Sequence, residues 1–139
     1  MEFSLPRMKI ADTRNEINPD KKVELLTTFE FHSIHPQLIK IHTKEFSAIC
    51  PGTGLPDIAT IDIEYIPKDK CVELKSLKHY FFSYRQDEIF QEPVTDLIFD
   101  HLWKTLTPHY LRIEIIYNTR GGFDTTTVVE KGDKEIAKN

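Results

Sequence analysis

The sequence predicts an α+β fold, an antiparallel four-stranded sheet with two helices in the order β-β-α-α-β-β. Apolar and polar residues alternate in two segments before and two segments after a central region, which is the period of a half-buried strand. The central region repeats its apolar residues at helical spacing instead. Short turn-rich connections within each strand pair favour hairpins, so the pairing is predicted to be antiparallel with both helices on one face.

The first strand pair flanks the sequence "CPGTGLPD". Apolar or β-branched residues alternate with polar ones on both sides of it, at Ile39, Ile41 and Thr43 and again at Ala59, Ile61, Ile63 and Tyr65. This alternation predicts two half-exposed strands joined by a wide hairpin connection.

Two helices are predicted next. The first has apolar residues at i, i+3, i+4 and i+7, namely Leu77, Tyr80, Phe81 and Tyr84. The second opens near Pro93, a residue suited to the first helical position, and carries one stripe of Val94, Leu97, Ile98, His101 and Leu102. A further apolar strip of Phe99, Trp103 and Leu106 predicts contact with a neighbouring subunit.

The last two strands surround "NTRGG". Leu111, Ile113, Ile115 and Tyr117 alternate before this turn, and "FDTTTVVE" follows it. Residues 1–139 are predicted to form a single domain, with residues 1–22 as an N-terminal arm or tail and residues 131–139 as a charged C-terminal tail.

Composition narrows the function classes. The chain has 139 residues, a formal charge of −4 and two cysteines. There is no basic excess for direct nucleic-acid binding, no apolar run that would span a membrane, and no secretory signal in "MEFSLPRMKI". Six histidines lack metal-ligand spacing, so no metal is expected. These features predict a cytoplasmic protein that acts on a small molecule.

Cys50 and Asp57 stand at the two ends of the "CPGTGLPD" turn. Cys50 is either a small buried hydrophobic residue or a nucleophile that the glycines and prolines leave uncovered. Asp57 either caps the turn or, with a pKa raised by burial, donates a proton. Cys71 has no such setting and is interpreted as structural.

Charged residues near helix starts form the second group of candidates. Glu73, Lys75, Ser76 and Lys78 lie in "VELKSLKHY", either as a solvated helix start or as a site for a nucleotide phosphate. Glu92 either caps the second helix or, like Glu73, accepts paired N–H donors from a guanine-like edge. Arg120 in "TRGG" either belongs to a hairpin turn or binds phosphate.

In four pieces the sequence resembles the unimodular 7-cyano-7-deazaguanine reductases, the nitrile reductases of queuosine biosynthesis. The pieces are "SAICPGTGLPDIATIDIEYIP", "VELKSLKHYFFSYR", "IFQEPVTDLIFDHL" and "TRGGF". The resemblance implies the tunnelling fold (T-fold) shared with GTP cyclohydrolase I, in which subunits join into a pentameric barrel that often stacks into a decamer. It also implies active sites between the subunits.

The resemblance further implies a role for each site residue. Cys50 forms a covalent thioimide with the nitrile, Asp57 supplies the proton, and two NADPH are used in turn as co-substrate. The implied substrate-binding positions are Val72, Glu73, Leu74, Gln91 and Glu92. The implied cofactor-binding positions are Lys75, Ser76, Lys78, Arg120 and Gly121.

One position departs from the family pattern, since Gln91 stands where a histidine is common. An amide can hydrogen-bond a substrate but carries no proton at neutral pH. Two alternatives remain, an amidinotransferase-type relative in which ammonia attacks the same thioimide on a modified tRNA, and a non-catalytic barrel that binds a purine.

Overall fold

The computed structural model describes residues 19–138 of the chain. Its helices are α1 (Pro19–Val23), α2 (Leu74–Phe82) and α3 (Gln91–Leu106), and its strands are β1 (Thr28–Glu30), β2 (Ile39–Ile49), β3 (Pro56–Ile66), β4 (Lys70–Val72), β5 (Tyr110–Tyr117) and β6 (Thr126–Gly132). A 3₁₀ helix covers Lys134–Lys138. No helix between residues 19 and 138 is both long and apolar enough to cross a membrane.

The main sheet has the strand order β2-β3-β5-β6, and every neighbouring pair is antiparallel. The α+β class and antiparallel hairpins predicted from periodicity are therefore confirmed. The small β1–β4 sheet was not predicted, because three-residue strands are too short to show an alternation. Strand β2 also continues to Ile49 past a break in register between Thr43 and Phe46. Because this irregularity interrupts the alternation of apolar and polar residues, the second half of the strand was not predicted.

Helices α2 and α3 cover one face of the main sheet and form the core with it. Strand residues in alternate positions point into that core and are fully buried, among them Ile61, Ile63, Leu111, Ile113 and Ile115. The extra apolar strip on α3 is also accommodated within the chain, since Leu106 is fully buried and Phe99 stacks on Trp103. The contact with a neighbouring subunit that this strip suggested therefore stays a prediction.

Both ends of the described chain pack on the fold. Residues 1–18 of the predicted N-terminal arm lie outside the described residues, but Lys22 is buried and bonds to Asp87 at 2.6 Å. The predicted C-terminal tail begins inside β6, and Lys134 reaches Glu64 at 3.2 Å. Charge-rich composition therefore concealed ordered structure at this end of the chain.

Candidate functional site

A closed turn holds Cys50 directly after the last residue of β2. The Cys50 N–H donates to the Leu55 carbonyl at 2.9 Å, and the Gly54 N–H donates to the Cys50 carbonyl at 2.8 Å. Gly54 has a φ of 73°, a conformation that favours glycine. The thiol itself is half-buried, and its neighbour Gly52 has no side chain to cover it. The turn therefore presents the sulfur, whereas Cys71 is buried.

Asp57 lies across the hairpin, opposite Ala48 and on the core side of β3. The residue is 6% exposed. Burial raises the pKa of Asp57, and the positive charge of Arg120 partly opposes that rise. A carboxyl group with these properties is suited to proton donation.

Arg120 reaches the same turn from the β5–β6 connection. Its guanidinium donates to the Pro56 carbonyl and to Thr53 Oγ1, and lies 3.4 Å from Asp57 Oδ1. The next residue, Gly121, is exposed with a φ of 60°, and a Cβ there would meet nothing within 4 Å. Arg120 and Gly121, which were predicted to bind the cofactor, therefore adjoin the Cys50–Asp57 pair.

The predicted residues at the start of α2 divide into capping and exposed ones. The Glu73 carboxylate accepts from the Lys75 N–H at 2.7 Å and the Ser76 N–H at 2.9 Å, so it is the helix N-cap. The Ser76 hydroxyl is buried and accepts from the Thr27 N–H at 3.0 Å. Lys75, Leu74 and Lys78 are exposed, while Val72 is buried with its N–H donating to the Tyr65 hydroxyl.

A small groove of about 180 Å³ separates α2 from β2. Lys78 and Leu74 line one side, and Thr43 and Glu45 line the other. The groove lies about 20 Å along β2 from Cys50, given a rise of about 3.3 Å per residue. Lys78 and the Cys50 turn therefore lie at separate places along β2 in one chain.

Gln91 and Glu92 form the first turn of α3. A carboxylate here is favoured by the positive end of the helix dipole, and Glu92 borders an open cleft of about 560 Å³ that is also lined by Thr95 and Thr127. Thr95 is buried and holds the helix start in place, since its hydroxyl donates to the Gln91 carbonyl at 2.8 Å and lies 2.7 Å from Thr127 Oγ1.

The segment before α3 joins this helix to the cysteine turn. The Ile49 N–H donates to the Asp87 carbonyl at 2.8 Å, and the Ile89 N–H donates to the Ile49 carbonyl at 3.1 Å. These two bonds fix the residue that precedes Cys50 against the residues that precede Glu92. Asp87 is itself held by the buried Lys22, a connection that no sequence motif indicated.

Tyr117 is a further residue that sequence reasoning treated only as part of the core. It lies opposite Ala59, on the same sheet face as Asp57, and its hydroxyl is buried without a hydrogen-bond partner among residues 19–138. Burial and the nearby carboxylates of Asp57 and Glu92 raise the pKa of Tyr117. Within the described part of the chain, no cluster of His, Cys, Asp or Glu is arranged to hold a metal ion.

The fold is an antiparallel sheet covered by two helices, and the candidate site is a thiol and a buried carboxyl group at one hairpin end. These two features together are compared with those of known proteins. The same fold is present in the crystal structure titled "the archaeosine synthase QueF-Like in the apo form", with a TM-score of 0.62 and 23% identity over 73% of this chain and 98% of that one. The family model described as QueF-like protein matches residues 56–136. The chain belongs to this QueF-like family.

Three relatives of similar length share one name. A protein of Nitrosospira multiformis is 44% identical over 115 residues, which cover 81% of this chain and 79% of that protein. A Thermotoga maritima protein is 52% identical over 66% of this chain and 67% of its own length, and a Chloroherpeton thalassium protein is 46% identical over 76% and 91%. Each is named NADPH-dependent 7-cyano-7-deazaguanine reductase.

Proposed function

We propose that this protein is an NADPH-dependent 7-cyano-7-deazaguanine reductase, an oxidoreductase that converts the nitrile to an aminomethyl group in queuosine biosynthesis. The observation that carries the proposal is the pairing of a half-buried thiol with a buried carboxyl group of raised pKa across one turn. The names of relatives at 44–52% identity support the same substrate and reductant.

The first chemical step joins Cys50 to the nitrile. The thiolate sulfur forms a bond to the nitrile carbon, one π pair of the C≡N bond moves to nitrogen, and Asp57 gives that nitrogen a proton. The product is a thioimide, whose C=N bond accepts hydride more readily than a free nitrile does. Asp57 suits this role because burial favours its protonated form before the reaction.

Reduction then requires two hydrides, one to the thioimide and one to the imine released when sulfur leaves, so two NADPH bind in turn as co-substrate. The positive groups that would hold the NADPH phosphates are Lys75, Lys78 and Arg120, with Gly121 allowing close approach. Their exposed or half-exposed positions fit a dinucleotide. The buried hydroxyl of Ser76 instead stabilises the start of α2.

The substrate edge would be held by carboxylates at two helix starts. Glu92 is exposed beside an open cleft and has the geometry to accept N–H donors. Glu73 uses both oxygens as an N-cap, and each oxygen retains a lone pair for a ligand. Val72, Leu74 and Gln91 complete the proposed substrate contacts, and the Gln91 amide supplies hydrogen bonds without a titrating proton.

A complete site requires a second subunit in this proposal. The groove that Lys78 lines and the Cys50 turn are about 20 Å apart along β2 of one chain. The two edge strands of the main sheet are β2 and β6, so β2 of one copy can pair with β6 of another and close a barrel. We therefore propose a T-fold homo-oligomer, a pentamer or a stacked decamer, built from one domain per chain.

The test begins with intact mass after incubation with 7-cyano-7-deazaguanine alone. We expect a covalent adduct with the mass of the nitrile, and then two NADPH oxidised per aminomethyl product when NADPH is added. The Cys50→Ala variant should form no adduct, whereas the matched Cys71→Ala variant should keep the adduct because Cys71 is buried away from the turn. An adduct with no NADPH oxidation would contradict the reductase and favour the amidinotransferase. No adduct at all would leave only a purine-binding barrel.

A further inference from the structure

The hydroxyl of Tyr117 has no hydrogen-bond partner among residues 19–138, although the side chain is only 5% exposed. The hydroxyl groups of the other buried tyrosines all form hydrogen bonds, namely those of Tyr65, Tyr80, Tyr84 and Tyr110. A buried polar group without a partner is destabilising and rare in native proteins. Its retention at the end of β5 therefore requires a reason other than packing.

The position of Tyr117 relates it to the proposed acid. It lies opposite Ala59 on the neighbouring strand, and Asp57 is the diagonal neighbour on the same face, a separation that an aromatic side chain can span. The Asn118 N–H donates to the Ile58 carbonyl at 2.9 Å and holds the two strands together at this point.

Several groups act on the same carboxyl. Arg120 approaches Asp57 from the β5–β6 turn at 3.4 Å, longer than a well-formed hydrogen bond, while Cys50 stands at the far end of the hairpin turn. Glu92 at the start of α3 adds negative charge near Tyr117. Burial and both carboxylates raise the pKa of Tyr117, so its hydroxyl stays protonated and remains a donor.

We propose that Tyr117 is a positioning residue whose hydroxyl donates a hydrogen bond to the Asp57 carboxylate as that group loses its proton to the substrate. The proposal deepens the proposed function and rests on it for the catalytic step. When the proton moves from Asp57 to the nitrile nitrogen, a negative charge appears on a carboxyl group with little access to water. A donor on the same face of the sheet that turns to the carboxylate stabilises that charge more than it stabilises the neutral acid, so it lowers the barrier to proton transfer.

The two partners of Asp57 would then be alternatives. Arg120 contacts the Asp57 carboxyl group from the side of the turn in the free chain, where the guanidinium also contacts Pro56 and Thr53. When Arg120 turns to a cofactor phosphate, Tyr117 remains as the donor that stabilises the negative charge on Asp57. Loss of either partner alone would leave the other, whereas loss of both would leave Asp57 with neither.

The first experiment compares Tyr117→Phe with Tyr110→Phe, a variant of another buried tyrosine on β5 whose hydroxyl donates to Glu130. Tyr117→Phe should keep or raise the Tm, because it removes a hydroxyl that has no partner among residues 19–138. In an Arg120→Met background, where no second donor to Asp57 remains, Tyr117→Phe should slow adduct formation by about tenfold to a hundredfold. Tyr110→Phe should lower the Tm by a few degrees and leave adduct formation unchanged. A Tyr117→Phe change that leaves the rate of the Arg120→Met variant unaltered overturns the proposal.

The second experiment needs no substrate and uses the pKa of Asp57, measured by the ¹³C shift of its carboxyl group. The pKa is compared in the wild type, Tyr117→Phe, Arg120→Met and the double variant. Because the two partners substitute for one another, the double variant should raise the pKa of Asp57 by more than the sum of the single variants. A double variant equal to Arg120→Met alone overturns the proposal. If the wild type forms no adduct, the proposed function fails while this comparison still decides the role of Tyr117.

Discussion

Replacing Lys22 by methionine should destabilise the protein far more than a surface substitution would. Lys22 is 5% exposed, bonds to Asp87 Oδ2 at 2.6 Å and to the Ser83 carbonyl at 2.7 Å, and lies over the Tyr84 ring. The other Asp87 oxygen is buried with no partner among residues 19–138, so Lys22 is the ion-pair partner of that carboxylate. Methionine preserves the apolar stem but leaves the aspartate charge uncompensated.

The loss of a buried ion-pair partner is worth about 3–5 kcal/mol. In a chain of 139 residues that corresponds to a fall in Tm of roughly 10–17 °C. Because the Asp87 carbonyl accepts from the Ile49 N–H, the same change should also loosen the backbone before Cys50 and slow its reaction with substrate.

The assay is urea unfolding followed by circular dichroism, with Lys21→Met as the control because Lys21 is exposed. That control should change the free energy of unfolding by less than about 0.5 kcal/mol. Adding Asp87→Asn to Lys22→Met should recover part of the loss, since no unpaired charge then remains. A Lys22→Met variant within about 1 kcal/mol of wild type would refute the account of Lys22 as a buried partner.

Three further predictions concern the site. Folding raises the pKa of Asp57, so the folded state holds this proton more tightly than the unfolded state does. The stability that Asp57 contributes therefore falls as pH rises from the pKa of the unfolded state through that of the folded state. Asp57→Asn should flatten this part of a Tm-versus-pH curve, and an unchanged curve would contradict the raised pKa. Glu73→Ala should destabilise the protein by about 1 kcal/mol through loss of the α2 cap, with Glu73→Gln closer to wild type in the same unfolding assay. Iodoacetamide should label half-buried Cys50 before buried Cys71 by peptide mass analysis, and equal labelling would count against an accessible turn.

The sequence was informative where local chemistry decides the structure. Alternation of apolar residues in residues 59–65 and 111–117 corresponds to strands β3 and β5, because one face of each strand is buried. The turn residues around Cys50 likewise predicted a tight connection, and Gly54 adopts the positive φ that only glycine adopts easily. Glu73 and Lys75 were predicted to precede or begin the first helix, and Glu73 is indeed the N-cap of α2, which begins at Leu74.

Other features depend on residues far apart in the sequence. Lys22 looked like one charge in a polar arm, and its burial against Asp87 is set by the way α1 packs on the chain. Arg120 was interpreted through its glycine neighbours alone, yet it contacts Asp57, which lies in another hairpin. Charge and spacing carry no information about such contacts, because they arise only when the sheet register is fixed.

The sequence by itself determined the α+β class, the hairpins, the cysteine–aspartate turn and the family resemblance, because each depends on periodicity or on residues close together in the chain. The tertiary structure decided which groups share one environment. It placed Asp57, Arg120 and Tyr117, whose hydroxyl has no partner among residues 19–138, at the same end of the sheet. The groove lined by Lys78 lies about 20 Å away along β2. Strand register and helix packing set those separations, and both are products of the whole fold.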